Sequence, residues 1–198
     1  IAAAEGEAYE TLFAAIRLVC RDLAMQMAGD GEGATKLIEV TVQGMDTKEH
    51  ARILAKSVIT SSLTKAAVYG SDANWGRILC ALGYAGVDFD PNALQLYFLD
   101  EEAGAAGTDT SGKEGGSAAE KGASREEERS AAGTDAKGRM LIFTDGAAAD
   151  YSEEAATALL KKEKVTILAR FHMGQASATA WGCDLTYDYV KINADYRS

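Results

Sequence analysis

The sequence is short of nearly every residue type that announces a familiar chemistry. It has only two histidines, His50 and His172, and three cysteines, Cys20, Cys80 and Cys183, in 198 residues. Neither histidine lies at ligand spacing from a cysteine or from the other, so no structural zinc pattern is present. An odd, widely spaced set of cysteines argues against a disulfide framework and for a reducing compartment. A serine-hydrolase triad would have to recruit His50, in a charged helical stretch, or His172, at a strand end; for both, a surface or partly buried structural role is the simpler reading. A GxSxG elbow and an HExxH pair are missing as well. So are long apolar runs, since nothing approaches the roughly 20 residues of a membrane span. Positive charge is scarce: 20 Lys and Arg stand against 30 Asp and Glu, for a net charge of −10 and a pI near 4.7. That balance excludes long-range attraction to nucleic acid or to an anionic membrane, and it suits a small cationic substrate.

What is present is a hydrophobic content of 47%, enough for one sizeable core in a soluble, globular chain. The chain opens on Ile1, then alanines and acids, without the basic start and apolar core of a signal segment. This opening predicts a processed or truncated product, with any targeting segment upstream.

Apolar residues at Leu12, Ile16, Val19, Leu23 and Met27 recur every three or four positions, which predicts a helix over 7–28 with one buried face. Gly29 supplies its stop. From Leu37 to Gln43 the pattern changes to strict alternation, a half-buried strand with Ile38, Val40 and Val42 inward. Asp46 with Glu49 resembles a cap and its reciprocal acid, opening a helix through Ile59. Asp72 or Asn74 caps the apolar run 78–82, where Trp75 and Arg77 read equally well as packing residues. Strands follow at 94–99, 140–144, 165–171 and 176–181, with Asp145-Gly146 as a turn and a helix from a Ser152 cap through Leu160. This alternation predicts an α/β chain: a mixed sheet with packed helices and a βαβ-like connection. The aromatic tail, 187–196, is too apolar to be loose and predicts a docked C-terminus.

Residues 101–138 break the pattern. Gly, Ala, Ser, Glu and Lys dominate there, and no aromatic or branched aliphatic residue occurs. Such a segment does not bury enough apolar surface to offset its ordering entropy, so it predicts a disordered insertion looping out between two strands.

At the first helix-to-strand corner lies Asp30-Gly31-Glu32-Gly33-Ala34-Thr35-Lys36. Glycines at 29, 31 and 33 admit backbone angles closed to other residues, so the loop is able to be tight. The corner is not a phosphate loop, which requires G-x-x-x-x-G-K-[ST] between a strand and a helix, and Glu32 would repel phosphate. By its residues alone Glu32 is either a solvated turn residue or a carboxylate aimed at a ligand.

This corner, together with Gly70-Ser71-Asp72-Ala73-Asn74-Trp75-Gly76-Arg77 and with Gly182-Cys183-Asp184-Leu185-Thr186-Tyr187-Asp188-Tyr189-Val190-Lys191-Ile192-Asn193-Ala194-Asp195-Tyr196, resembles the ornithine acetyltransferase family, the bifunctional glutamate N-acetyltransferases of arginine biosynthesis. Three long motifs in the same order carry the resemblance, which spans 12–198 apart from the 101–138 insertion. It implies the β-chain portion of an N-terminal-nucleophile-like fold, from a precursor that cuts itself into α and β chains and assembles as two of each. Acetyl passes from N-acetylornithine to the threonine that begins the β chain and on to glutamate, with acetyl-CoA as a possible second donor; no cofactor is implied. The resemblance places no catalytic residue in this chain, since the nucleophilic threonine lies upstream of Ile1 and the oxyanion donors belong to the α chain. Residues 1–29 then complete a nucleophile domain, and 30–100 with 139–198 form a C-terminal α/β domain. Glu32, Asn193 and Ser198 match the family's substrate contacts, the carboxylate for an amine and the other two for the acid end. The alternative is a non-catalytic binding or assembly fragment, or an inactive paralogue. By analogy the compartment is cytoplasm in bacteria and a mitochondrion or chloroplast in eukaryotes; the insertion leans towards an organelle.

Overall fold

Alternation shapes the first strand, β1 (Leu37–Met45), whose Ile38, Val40 and Val42 are all but inaccessible to solvent. The computed structural model describes residues 5–106, 134, 135 and 137–195. Along the chain follow the helices α1 (Glu7–Gly29), α2 (Lys48–Thr60), α3 (Ser62–Tyr69) and α4 (Trp75–Gly83), then the strand β2 (Gln95–Leu99) and the short helix α5 (Glu101–Ala106). After the gap in the described residues come β3 (Arg139–Thr144), β4 (Ala147–Ala148), α6 (Glu153–Leu160), β5 (Lys164–Arg170), β6 (Ala176–Cys183) and α7 (Tyr187–Ala194).

The strands form one mixed sheet in the order β4-β3-β2-β5-β1-β6. Among the described residues only β1 and β5 are parallel neighbours, and every other pairing is antiparallel. Since β3 and β5 both run antiparallel to β2, they are parallel to each other, and α6 carries the expected β-α-β crossover between them. One face of the sheet packs against α2, α4 and α6: Leu54 and Val58, Ile78 and Leu82, and Leu160 meet Ile38, Val40, Leu96, Phe98, Ile142 and Ile167 in one core. Each such side chain contributes about 1.5–3 kcal/mol through the apolar area it removes from water.

Several expectations are corrected. The apolar stripe of α1 is not buried: no residue of the helix is, and Leu12, Ile16, Val19, Leu23 and Met27 are all more than half exposed. Periodicity identifies a face that is suited to burial but does not supply the surface that covers it. The cap of α2 is Thr47, whose hydroxyl accepts from His50 N at 3.1 Å, while Asp46 binds Thr47 N and the His50 ring and Glu49 pairs with Arg52. Ser61 ends α2 and caps a separate helix, α3, to which the sequence reading assigned no element. The tail is docked, but through polar contacts and not through apolar burial. It is the helix α7, with Tyr187, Tyr189, Val190 and Ile192 exposed.

The low-complexity stretch begins in order. Lys162 Nζ lies 2.8 Å from Asp100, Lys164 Nζ is 2.6 Å from Glu101, and Thr166 also donates to Glu101. At the other end Arg139 pairs with Asp135 at 2.8 Å, and Asp100 N donates to Gly138 O. The expected disorder of the remainder, 107–133 and 136, lies outside the described residues. The Lys162 hydrogen bond holds the Asp100 carboxyl below the usual carboxylate range. Asp135 is also lowered: its burial acts upward and is outweighed by hydrogen bonds from Arg139. Lys162 is raised, chiefly by its bond to Asp100. Depressed carboxylates contribute stability that is present above their ordinary range and lost as pH falls through it, whereas the raised lysine loses its contribution only in strong base. The melting temperature should therefore fall between about pH 5 and about pH 2, and calorimetry of Asp100→Asn should show a shallower fall over that window. Parallel curves would exclude this clamp as a contributor.

Candidate functional site

The corner expected to carry Glu32 is built as a seat for the chain's other end. Asp30 N closes α1 on Gln26 O, and Ala34 N turns back onto Gly31 O at 2.9 Å. Gly33 is required by its backbone, and a side chain at Gly31 would displace Cys183. A Cβ at Gly31 would lie 2.5 Å from Cys183 Sγ, and at Gly33, where φ is +69°, it would lie 2.9 Å from Tyr189 N. The loop therefore rests directly on the end of β6 and the first turn of α7.

Asp184 occupies the junction and is 3% exposed. Its carboxylate accepts from Thr35 N at 2.9 Å, Thr35 Oγ1 at 2.5 Å and Lys36 N at 3.1 Å, while its own N donates to Lys36 O. Two residues on, the Thr186 hydroxyl donates to Gly33 O at 2.7 Å and accepts from Tyr189 N, which makes it the N-cap of α7. The ammonium of Lys36 turns the other way, to Val68 O, Tyr69 O and Ser71 Oγ. It thus binds the last carbonyls of α3, where a cation is favoured by the helix dipole. Burial lowers its pKa, with Asp184 acting in the opposite sense. In this way the glycine corner contacts both of the other two motifs singled out in the sequence.

The outcome is that Asn193 Nδ2 donates to Glu32 Oε2 at 2.8 Å across 161 residues of sequence. Asn193 also donates to Tyr189 O, one helical turn back, which fixes its amide. Two of the three expected substrate contacts thus meet at one solvent-facing point, and the third, Ser198, lies outside the described residues. An open depression of about 550 Å³ lies at the end of α1, lined by Leu23, Gln26, Met27, Gly29 and Asp30.

Trp75 and Arg77 have packing roles. Trp75 tilts onto Phe143 with ring centres 5.1 Å apart, and Arg77 donates to Leu63 O. His50 is held by Asp46 on the surface. Among the described residues no group of three or more His, Cys, Asp or Glu is placed to hold a metal ion, and no helix is long and apolar enough to cross a membrane. Sequence reasoning assigned no role to Thr35, Asp184 or Thr186. Their only signal was membership of the two motifs that flank them.

The comparisons agree with these motifs. A family model described as the ArgJ family matches residues 1–198. The arginine biosynthesis bifunctional protein ArgJ of Geobacillus stearothermophilus is 40% identical over 190 residues, covering 96% of this chain and 37% of that protein. The arginine biosynthesis bifunctional protein ArgJ 1 of Clostridium acetobutylicum is 40% identical over 194 residues, covering 98% and 39%. A crystal structure of the arginine biosynthesis bifunctional protein argJ from Bacillus halodurans superposes with a TM-score of 0.75 at 35% identity, over 98% of this chain and 74% of that one. The chain spans well under half the length of these curated relatives.

Proposed function

The chain belongs to the ArgJ family, and on that premise we propose that it is the β-chain portion of a glutamate N-acetyltransferase of arginine biosynthesis. Carrying this reading is the convergence of Glu32 and Asn193 at 2.8 Å: a carboxylate for the side-chain ammonium of N-acetylornithine, and an amide whose N–H, once that ammonium takes its place on Glu32, donates to the α-carboxylate. In the reaction a threonine hydroxyl, outside residues 1–198, attacks the acetyl carbonyl of N-acetylornithine. The C–N bond breaks and ornithine leaves with the proton, while the acetyl ester remains on the threonine. The amine of glutamate then attacks that ester, regenerating the hydroxyl and releasing N-acetylglutamate. Glu32 binds the side-chain ammonium of N-acetylornithine, Asn193 and Ser198 bind the α-carboxylate of either substrate, and none of the three takes part in bond making.

A partner α chain from the same precursor, in an assembly of two α and two β chains, fits two observations. The same segment covers 37% of a curated relative and 74% of the solved chain, so the solved chain is about half as long as that relative, as a precursor cut once would give. The exposed stripe Leu12, Ile16, Val19, Leu23, Met27 offers a contiguous apolar face of the kind that marks an interaction surface. In this reading α1 completes a nucleophile domain supplied from upstream, and 30–100 with 139–198 form the second domain. The relatives named above are bacterial, so an organelle has no support from them, and the cytoplasm is the compartment we adopt.

The test is to supply the full-length gene product with acetyl-labelled N-acetylornithine and glutamate. Label should appear in N-acetylglutamate, a chain beginning with threonine should carry one acetyl group in the mass spectrum, and residues 1–198 should co-purify with an α chain. Uncut product with no transfer would favour the non-catalytic alternative.

A further inference from the structure

The bond between Glu32 and Asn193 joins two exposed side chains, and exposed polar pairs of this kind hold little on their own. Something else must set the two elements in register. We propose that Asp184 is a positioning residue for substrate binding, acting through Thr35 and Thr186 to hold the Glu32 corner and the Asn193 helix at one fixed separation. This rests on the reading of Glu32 and Asn193 as substrate contacts.

Asp184 is buried, unlike the pair it serves, and its two oxygens collect three donors from Thr35 and Lys36. These bonds fix the C-terminal side of the Glu32 corner at the point where it enters β1. On the other side, Asp184 is two residues from Thr186, whose hydroxyl binds Gly33 O and caps α7. The helix start is therefore set against the same corner, and Asn193 reaches Glu32 two turns later. Gly31 and Gly33 leave no room for the loop to shift towards Cys183 or α7 to compensate. Asp184 itself touches neither Glu32 nor Asn193 in any bond observed, so its loss acts on their geometry and leaves their chemistry intact.

The experiment measures KM and kcat for N-acetylornithine in the full-length enzyme carrying Asp184→Asn, Glu32→Gln or both. Asp184→Asn keeps the shape and an oxygen for the N–H groups of Thr35 and Lys36, but it removes the charge and sets an amide NH2, in place of an accepting oxygen, against the Thr35 hydroxyl. A rise in KM of roughly ten- to a hundredfold is expected, with kcat changed much less, as a displacement of about 1 Å would give. In the Glu32→Gln background the same change should have little further effect, because both act on one contact. Equal, multiplying effects, or an unchanged KM with Asp184→Asn, would overturn the proposal while leaving the substrate reading intact. An unchanged KM with Glu32→Gln would remove that reading and the proposal with it. Should Asp184→Asn fail to fold, Thr35→Val and Thr35→Ser decide the matter. Valine should raise KM several-fold and serine, which restores the hydroxyl, should return it to the wild-type value; equal KM for both overturns the proposal.

Discussion

Glu32→Gln in the complete enzyme should lower kcat/KM for N-acetylornithine by roughly 10- to 150-fold, most of it in KM. The figure follows from the worth of a hydrogen bond to a charged group, about 1.5–3 kcal/mol, at about 1.4 kcal/mol per factor of ten. Glutamine keeps the length and still accepts from Asn193, so what is removed is the charge that pairs with an ammonium. In the isolated chain Glu32 is exposed, where such a pair is worth far less, so the melting temperature of residues 1–198 should barely move. That split separates a binding carboxylate from a structural one. Steady-state kinetics indistinguishable from wild type would leave Glu32 as a solvated turn residue.

Gly44→Ala is the second large effect, and it falls on stability. Gly44 sits in β1 at φ +77°, and a Cβ there would lie 1.9 Å from Phe171 O, where no rotamer relieves the overlap because the neighbour is backbone. Relief requires the strand end to open, and with it the bonds Phe171 N to Gln43 O at 2.8 Å, Met173 N to Gly44 O at 2.8 Å and Gly174 N to Gly44 O at 2.9 Å. The register of β1 against β6 already shifts between Val42 and Met45, so this is a bulge that only glycine fits. A loss above about 4 kcal/mol, or no soluble protein, is expected. Gly86 is the internal control: its φ is +78° but open space surrounds it, so Gly86→Ala should cost only the left-handed strain, about 1–2 kcal/mol. Denaturant midpoints of the two variants measure the difference, and equal losses would mean that the Phe171 contact is unimportant.

The sheet was largely legible in the sequence because period-two alternation is local: Ile38, Val40 and Val42 announce their own face. Capping was legible to within one residue, since Asp46 and Thr47 both offer an oxygen and only geometry selects Thr47. The stripe of α1 announced a buried face and the structure leaves it exposed, because amphipathicity is a property of one helix while burial needs two surfaces. For α7, the density of tyrosines obscured an N-cap at Thr186. Glu32 and Asn193 were singled out through the family motifs alone, and the structure brings the two side chains together. Asp184 was not legible as a device, because its donors lie 148 and 149 residues away and nothing in a local window distinguishes it from any other aspartate after a strand.

Glu32 and Asn193 are separated by 161 residues, which places a clock on the site during synthesis. At about 5–20 residues per second, the corner waits roughly 10–30 s on the ribosome before its partner helix exists. Through that interval the nascent chain has a carboxylate with no opposing amide and nothing to fix the separation of the two elements. Closure of the corner is thereby deferred until α7 has emerged.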